Sequence, residues 1–379
     1  MRLRRIDAPS YETQVSTGTD GCFRLTNLAA GEYEVGAGFW YQATNGVGDW
    51  AAWTAIDSVH LLPGQSAVLP KTSVPRPRGG RVVRHVLDSP SLAESLIGER
   101  STRVLTVYLP EAYDSSSDSF AVIYWFPGFN GMGLPFRMRA RLDQAIEEGY
   151  LQSVIVVGFD LQTAYGGSFL LNSRIFGRWE DFVVDEAVPY LDASYRTIPS
   201  PQGRIAMGTS VGGWSALMLS VLHPGVWGSV GADDPSVWLM WDYVSDSDSF
   251  PRQSSWQDIP SSIKQLPESL AGLPRADIEA MTITVLGGTL SPDPEMPLGF
   301  APPMTADGDW NPSVRKQWQA YNLAHAIGLA RHGDALRALS LSIATTKDST
   351  QGNAGSILDL ASIWEQSGIS TEVIRISGA

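Results

Sequence analysis

Three features of the 379-residue sequence predict an α/β chain with a mostly parallel sheet, preceded by a small antiparallel β module. Short runs of period-two alternation, divided by Gly, Asn and Pro, fill residues 1–73. From residue 81 onward, apolar strand-like runs alternate with helical stretches, the pattern of a parallel sheet covered on both faces. At one strand-to-helix junction stands a serine bracketed by glycines, Gly208-Thr209-Ser210-Val211-Gly212.

Taken in order, the first part reads as three β runs, "GCFRLTNL", "GEYEVGAGFWY" and "DSVHLLPGQSAVLP". Residues 74–80, "VPRPRGG", read as a linker. Strands are expected at Arg81–Leu87, Val104–Leu109 and Ala121–Phe126, then a helix at about Pro135–Glu148 and a buried strand at Val154–Val157. A helix at about Glu180–Leu191, a strand at Arg204–Met207, a helix at Gly212–Leu222 and a strand at Trp227–Gly231 continue the alternation. Residues 232–331 are rich in Ser, Pro, Asp and Trp and read as a largely irregular insertion with one helix, Val314–Leu329. The regular pattern resumes with strand Leu336–Ala344, helix Gly355–Gln366 and strand Thr371–Ile376. Residues 81–379 therefore form one expected large domain.

Composition narrows the function classes. A hydrophobic share of 43% and a charged share of 18% are ordinary for a globular core. The formal net charge of −13 argues against nucleic acid or an anionic membrane surface as the main partner. The single cysteine, Cys22, excludes an intrachain disulfide. No run approaches about eighteen consecutive apolar residues, so no membrane-spanning helix is expected. The basic start "MRLRRIDAPSYE" lacks an apolar stretch after it, so no signal peptide is read there and localisation stays open. No His/Cys cluster has metal-ligand spacing and no P-loop is present, so neither metal nor organic cofactor is implied.

The G-x-S-x-G spacing has a chemical reason. The serine sits on a strained turn that lifts its hydroxyl out of the sheet, and the glycines let strand and helix approach. The helix start offers the Val211 N–H to a developing oxyanion. A second donor is expected after the third strand, where "WFPGFNGMG" makes the Phe129 N–H the candidate.

Around these motifs the chain resembles the esterase branch of the α/β-hydrolases, which includes enterobactin esterase, S-formylglutathione hydrolase, feruloyl esterases and the mycolyltransferase antigens. The resemblance is carried by "RVLTVYLPEAYD", "VIYWFPGFNG", "GRWEDFVVDEAVPYLDASYRTIP" and "GRIAMGTSVGGWSALMLSVLHPGVWGSV", and is weakest across the insertion. It implies an α/β-hydrolase fold and a serine esterase. Many members carry His-Gly after the third strand where this chain has Pro127-Gly128, a change that spares a backbone donor. It also implies that Gly166–Ser173, "GGSFLLNS", lies near the active site. The stretch "TDGCFRLTNLAAGEYEV" resembles transthyretin-like or carboxypeptidase-regulatory β modules, usually non-catalytic, and reads as beginning partway into one.

In this fold the acid and histidine follow the nucleophile in that order. Asp348, just past the expected strand Leu336–Ala344, is the candidate acid; Asp233, Asp234 and Asp293 are rivals. Of the five histidines, His60 lies in the β module, His85 in the first strand of the large domain and His223 at a helix end. His325 and His332 precede the acid, the wrong order, and stand only as fallback bases. The resembling family reads Gly-His after its last strand, where this chain has "TEVIRISGA". The expectation is a histidine beyond Ala379, and a chain that is nearly inactive as it stands. A serine carboxylic-ester hydrolase acting on a small-molecule or carbohydrate-linked ester is the leading reading. An acyltransferase of the same fold and a non-catalytic binding member are the alternatives.

Overall fold

The computed structural model describes residues 2–6, 12–14, 24–42, 48–69, 79–135, 138–163, 165–236, 284–296, 299–301, 311–346 and 353–376. They divide into two compact units, residues 1–80 with 136–147, and residues 81–135 with 148–379.

In the first unit, β1 (Arg2–Arg5), β2 (Glu12–Gln14), β3 (Gly31–Gln42) and β4 (Gly48–Leu61) form an antiparallel sheet in the order β2-β1-β3-β4. Leu3, Tyr33, Val35 and Leu61 make its small core. The buried Tyr33 hydroxyl donates to the Ala29 carbonyl at 2.7 Å, so its burial costs little. The sequence reading is corrected here in two places. Residues 24–28 of "GCFRLTNL" are not a strand, and two strands, β1 and β2, lie within residues 2–14, where no individual strand was read. Alternation over three or four residues is too short a signal to separate a strand from a turn.

The second unit is built on an eight-stranded sheet. Its strands are β5 (Arg81–Asp88), β6 (Thr102–Leu109), β7 (Val122–Phe126), β8 (Ile155–Phe159), β11 (Arg204–Thr209), β12 (Ser229–Asp233), β13 (Ser340–Thr346) and β14 (Thr371–Ile376). The intervening β9 (Asn172–Ser173) and β10 (Gly177–Arg178) make a separate two-stranded ribbon. The order is β14-β13-β12-β11-β7-β8-β6-β5; β5–β6 and β6–β8 pair antiparallel and the rest parallel. Every residue of β8 and all but one of β7 are buried, as strands covered on both faces must be. This is the predicted α/β-hydrolase sheet, with β11 near its centre.

Among the described residues the α-helices are α1 (Pro90–Ala93), α2 (Glu111–Ser115), α3 (Met138–Glu147, in the first unit), α4 (Trp179–Asp181), α5 (Val188–Ser194), α6 (Val211–Leu222), α7 (Pro312–Gln319), α8 (Ala326–Arg337) and α9 (Asn353–Gln366). Residues 284–290 are also helical. Between α4 and α5 the chain widens into a π-helical turn, Phe182–Ala187. Pro189, in the first turn of α5, has no N–H to return to Asp185, and the Val188 N–H bonds instead to Val183, five residues back.

Two further expectations are corrected. The helix expected at Val314–Leu329 is broken between α7 and α8, because the Asn322 side chain takes the Ala324 N–H at 2.9 Å and His325 caps the next helix. A Cβ at Gly328 would lie 1.9 Å from the Asn322 carbonyl, so only glycine admits this bend. The strand expected from Leu336 starts at Ser340, since α8 runs on to Arg337.

Candidate active site

The chain turns from β11 to α6 at Ser210. Its φ of 54° and ψ of −123° are a conformation that side chains rarely adopt. Two glycines make the turn possible: a Cβ at Gly212 would stand 2.1 Å from the Phe126 carbonyl, and one at Gly208 would stand 2.5 Å from Gly212. The strained residue is held at both ends. Its N–H donates to the Asp233 carbonyl, and its carbonyl accepts from the Ser236 and Trp214 N–H groups, at 3.0, 3.0 and 3.1 Å. Every residue of α6 except Leu222 is buried, so the helix behind the turn is fixed in the core.

The Ser210 hydroxyl makes no capping bond to its own helix. Among the described residues its hydrogen-bond partner is the Ser236 hydroxyl, 3.1 Å away and itself buried. Ser236 was not singled out from the sequence. It lies 26 residues downstream, and only the parallel pairing of Thr209 with Asp233 brings it to the turn.

Of the two expected oxyanion donors, Val211 directly follows this serine, and Phe129 follows Gly128, which faces it. Val211 occupies the first position of α6, where a helix has no carbonyl of its own for the amide. Gly128 faces Ser210, a Cβ built on it lying 3.5 Å from the serine Cβ. The turn after β7 is closed by the Gly131 N–H on the Gly128 carbonyl at 2.9 Å. Phe129, inside that turn, packs its ring on Phe169 at 6.2 Å, and Cβ atoms at Gly166 or Gly167 would come within 2.7 Å of it. The start of "GGSFLLNS" thus abuts the turn, and the Ser215 hydroxyl ties α6 to the Phe169 carbonyl at 2.9 Å.

Asp348 lies outside the described residues. Among its rivals, Asp233 supplies the backbone carbonyl for Ser210, while burial pushes its carboxyl above the usual range and a hydrogen bond from Thr209 opposes this. Asp234 has φ 39° and donates its N–H to the Ala344 carbonyl at 2.8 Å. Asp293 accepts the Glu295 N–H in a surface turn at 3.1 Å. Asp233 thus holds the Ser210 turn through its backbone, Asp234 bonds to β13, and Asp293 shapes a loop.

All five histidines are among the described residues, and none makes a hydrogen bond to Ser210. His60 faces Glu32 at 3.7 Å. His85 lies between the hydroxyls of Tyr190 and Tyr195, and His223 pairs with Glu180 at 3.1 Å. His325 caps α8, its Nδ1 accepting the Ile327 N–H at 3.2 Å. His332 is buried in α8, where burial first and Arg331 second pull its pKa below the ordinary value, opposed by a bond to the Ala320 backbone. Its Nε2 has no hydrogen-bond partner among the described residues. Also among the described residues, no group of three His, Cys, Asp or Glu could hold a metal ion, and no helix is long and apolar enough to cross a membrane.

The site can be compared with known proteins. The chain is 17% identical to a solved ferulic acid esterase, covering 80% of this chain and 92% of that one with a TM-score of 0.51. An S-formylglutathione hydrolase from Agrobacterium tumefaciens is 13% identical over 80% of this chain and 87% of its own, with a TM-score of 0.47. A curated relative, Uncharacterized protein YbbA of Bacillus subtilis (strain 168), is 23% identical over 164 residues. That match covers 39% of this chain and 61% of the relative. The family model described as Putative esterase matches residues 99–362, which include β6 to β13 and the whole Ser210 turn. With an α/β-hydrolase sheet and a match over well more than half its length, the chain belongs to that esterase family.

Proposed function

We propose that the chain is a carboxylic-ester hydrolase acting through an acyl-enzyme on Ser210. Ser210 Oγ attacks the ester carbonyl, its proton passes to a base, and the Val211 and Phe129 N–H groups receive the oxyanion. Collapse expels the alcohol, and water then releases the acid from the serine. The substrate is a small-molecule or carbohydrate-linked ester, and Asp348 is the acid that would orient a histidine. Residues 1–73 serve as a non-catalytic accessory module. One observation carries the reading: Ser210 keeps a strained backbone at a helix start yet spends no side-chain bond on that helix. Strain of this kind persists where a side chain must be aimed.

A second reading is favoured by the partner of Ser210 Oγ, a serine hydroxyl rather than an imidazole. On that reading the protein binds esters without cleaving them. A fluorophosphonate probe separates the two, with free imidazole added to stand in for a base. Modification of Ser210 that imidazole accelerates supports the hydrolase, and no modification with imidazole present supports the binder.

A further inference from the structure

Behind the turn that carries Phe129 lies a buried polar network that the proposed reaction does not itself use. Arg103, in β6, is fully buried. Its guanidinium pairs with Glu99 at 2.8 Å, lies 4.5 Å over the Trp179 ring and donates to the Gln162 carbonyl. A charge so placed is tolerated only with such partners. Its bond to Gln162 fixes the segment that follows β8. The Gln162 N–H donates to Asp160 at 3.2 Å, and Asp160 is in turn held by Arg100 at 2.9 Å.

From that anchored backbone the Gln162 side chain reaches across. Its Nε2 donates to the Asn130 side-chain oxygen at 3.0 Å and to the Asn130 carbonyl at 3.3 Å. Asn130 has φ 61°, a left-handed conformation, and directly follows Phe129. The Leu161 N–H adds a bond to the Gly131 carbonyl at 3.3 Å. The same turn is closed through the Gly128 carbonyl, and that carbonyl shares its peptide plane with the Phe129 N–H. In a trans peptide the two groups point in opposite directions, so a carbonyl held inside the turn aims the N–H outward.

We propose that Gln162 is a positioning residue for the oxyanion site: by fixing Asn130 it locks the Gly128–Gly131 turn and so the direction of the Phe129 N–H beside Ser210. This rests on the reading of Ser210 as the nucleophile and Phe129 as a donor. The Gln162 side chain bonds to Asn130 and not to Ser210, so its loss is expected to alter the rate of the chemical step and leave probe binding alone.

The test uses the full 379-residue chain with imidazole. Fluorophosphonate modification of Ser210 is followed against probe concentration in the wild type and in Gln162→Met, which keeps the length and removes the donor. Losing an oxyanion donor outright costs about 100- to 1000-fold, so misaiming one is expected to slow the maximal rate by about 10-fold or more, with half-saturation unchanged. Amide exchange of residues 128–133 should quicken, with the melting temperature nearly unmoved. Wild-type labelling rates in Gln162→Met would overturn the proposal and leave the nucleophile reading standing. Absence of labelling in the wild type would overturn the nucleophile reading. The exchange measurement then decides alone whether Gln162 holds the turn, unchanged exchange refuting it and faster exchange supporting it. If Gln162→Met does not fold, Asn130→Gly removes the side-chain acceptor at a position glycine accepts, and the same comparisons apply.

Discussion

Ser210 and His325 both stand at the residue before a helix, and both were candidates for catalysis, yet the fold uses them in opposite ways. His325 has ordinary extended backbone, φ −90° and ψ 147°, and its imidazole accepts an N–H from the helix it starts. Ser210 has strained backbone and leaves its hydroxyl off the helix. A side chain spent on capping satisfies a helix; a side chain withheld from capping, at a cost in strain, is left to bond elsewhere, here to Ser236. The contrast makes His325 a capping residue and supports the proposal of Ser210 as the reactive group.

Substitutions can break that contrast, and the largest effect is expected at the serine. Ser210→Ala should abolish fluorophosphonate modification while leaving the fold intact. Next comes the space behind it: Gly212→Ala puts a methyl 2.1 Å from the Phe126 carbonyl and should cost about 3 kcal/mol or more, read by denaturant unfolding. Relief of strain should show in Ser210→Gly, which is expected to gain up to about 1 kcal/mol of stability as it loses reactivity. At the other helix, His325→Ala should cost about 1 kcal/mol through the lost cap and leave Ser210 labelling unchanged, with His325→Ser restoring stability.

The smallest effect is with pH. Burial holds the folded-state pKa values of His85 and His332 below the ordinary histidine value. Both residues are neutral in the folded and unfolded states above that value, so they contribute no slope there. As pH falls through it the unfolded chain takes up the protons first, and stability declines until the folded pKa is passed. His332→Gln should flatten that part of the stability profile.

The elbow was legible in the sequence because backbone built it. Gly208 and Gly212 are needed where atoms approach too closely for any Cβ, and a G-x-S-x-G spacing signals that need even though the approaching Phe126 carbonyl is distant in sequence. Ser236 and Gln162 were not legible, because parallel pairing and a loop crossing bring them to the site from 26 and 32 residues away in sequence from their partners. The break between α7 and α8 was missed for a different reason. Apolar periodicity runs through "VRKQWQAYNLAHAIGLARHGDALR" without a proline, and the interruption comes from Asn322 and His325 side chains bonding to nearby amides. The expected chain order of acid and base argued against His325 and His332. In the structure His325 caps α8 and His332 is buried in it, while Asp348 falls outside the described residues.

The central claim is that Ser210 is a nucleophile whose hydroxyl no histidine of the described chain engages. Its most direct measurement is site-mapped fluorophosphonate modification of the 379-residue chain, with and without imidazole, beside His325→Ala and His332→Ala. The loss of a triad base costs about 10⁴- to 10⁶-fold, so slow modification confined to Ser210, quickened by imidazole and equal in both histidine variants, is the predicted result. Fast modification without imidazole that either histidine variant abolishes would contradict it.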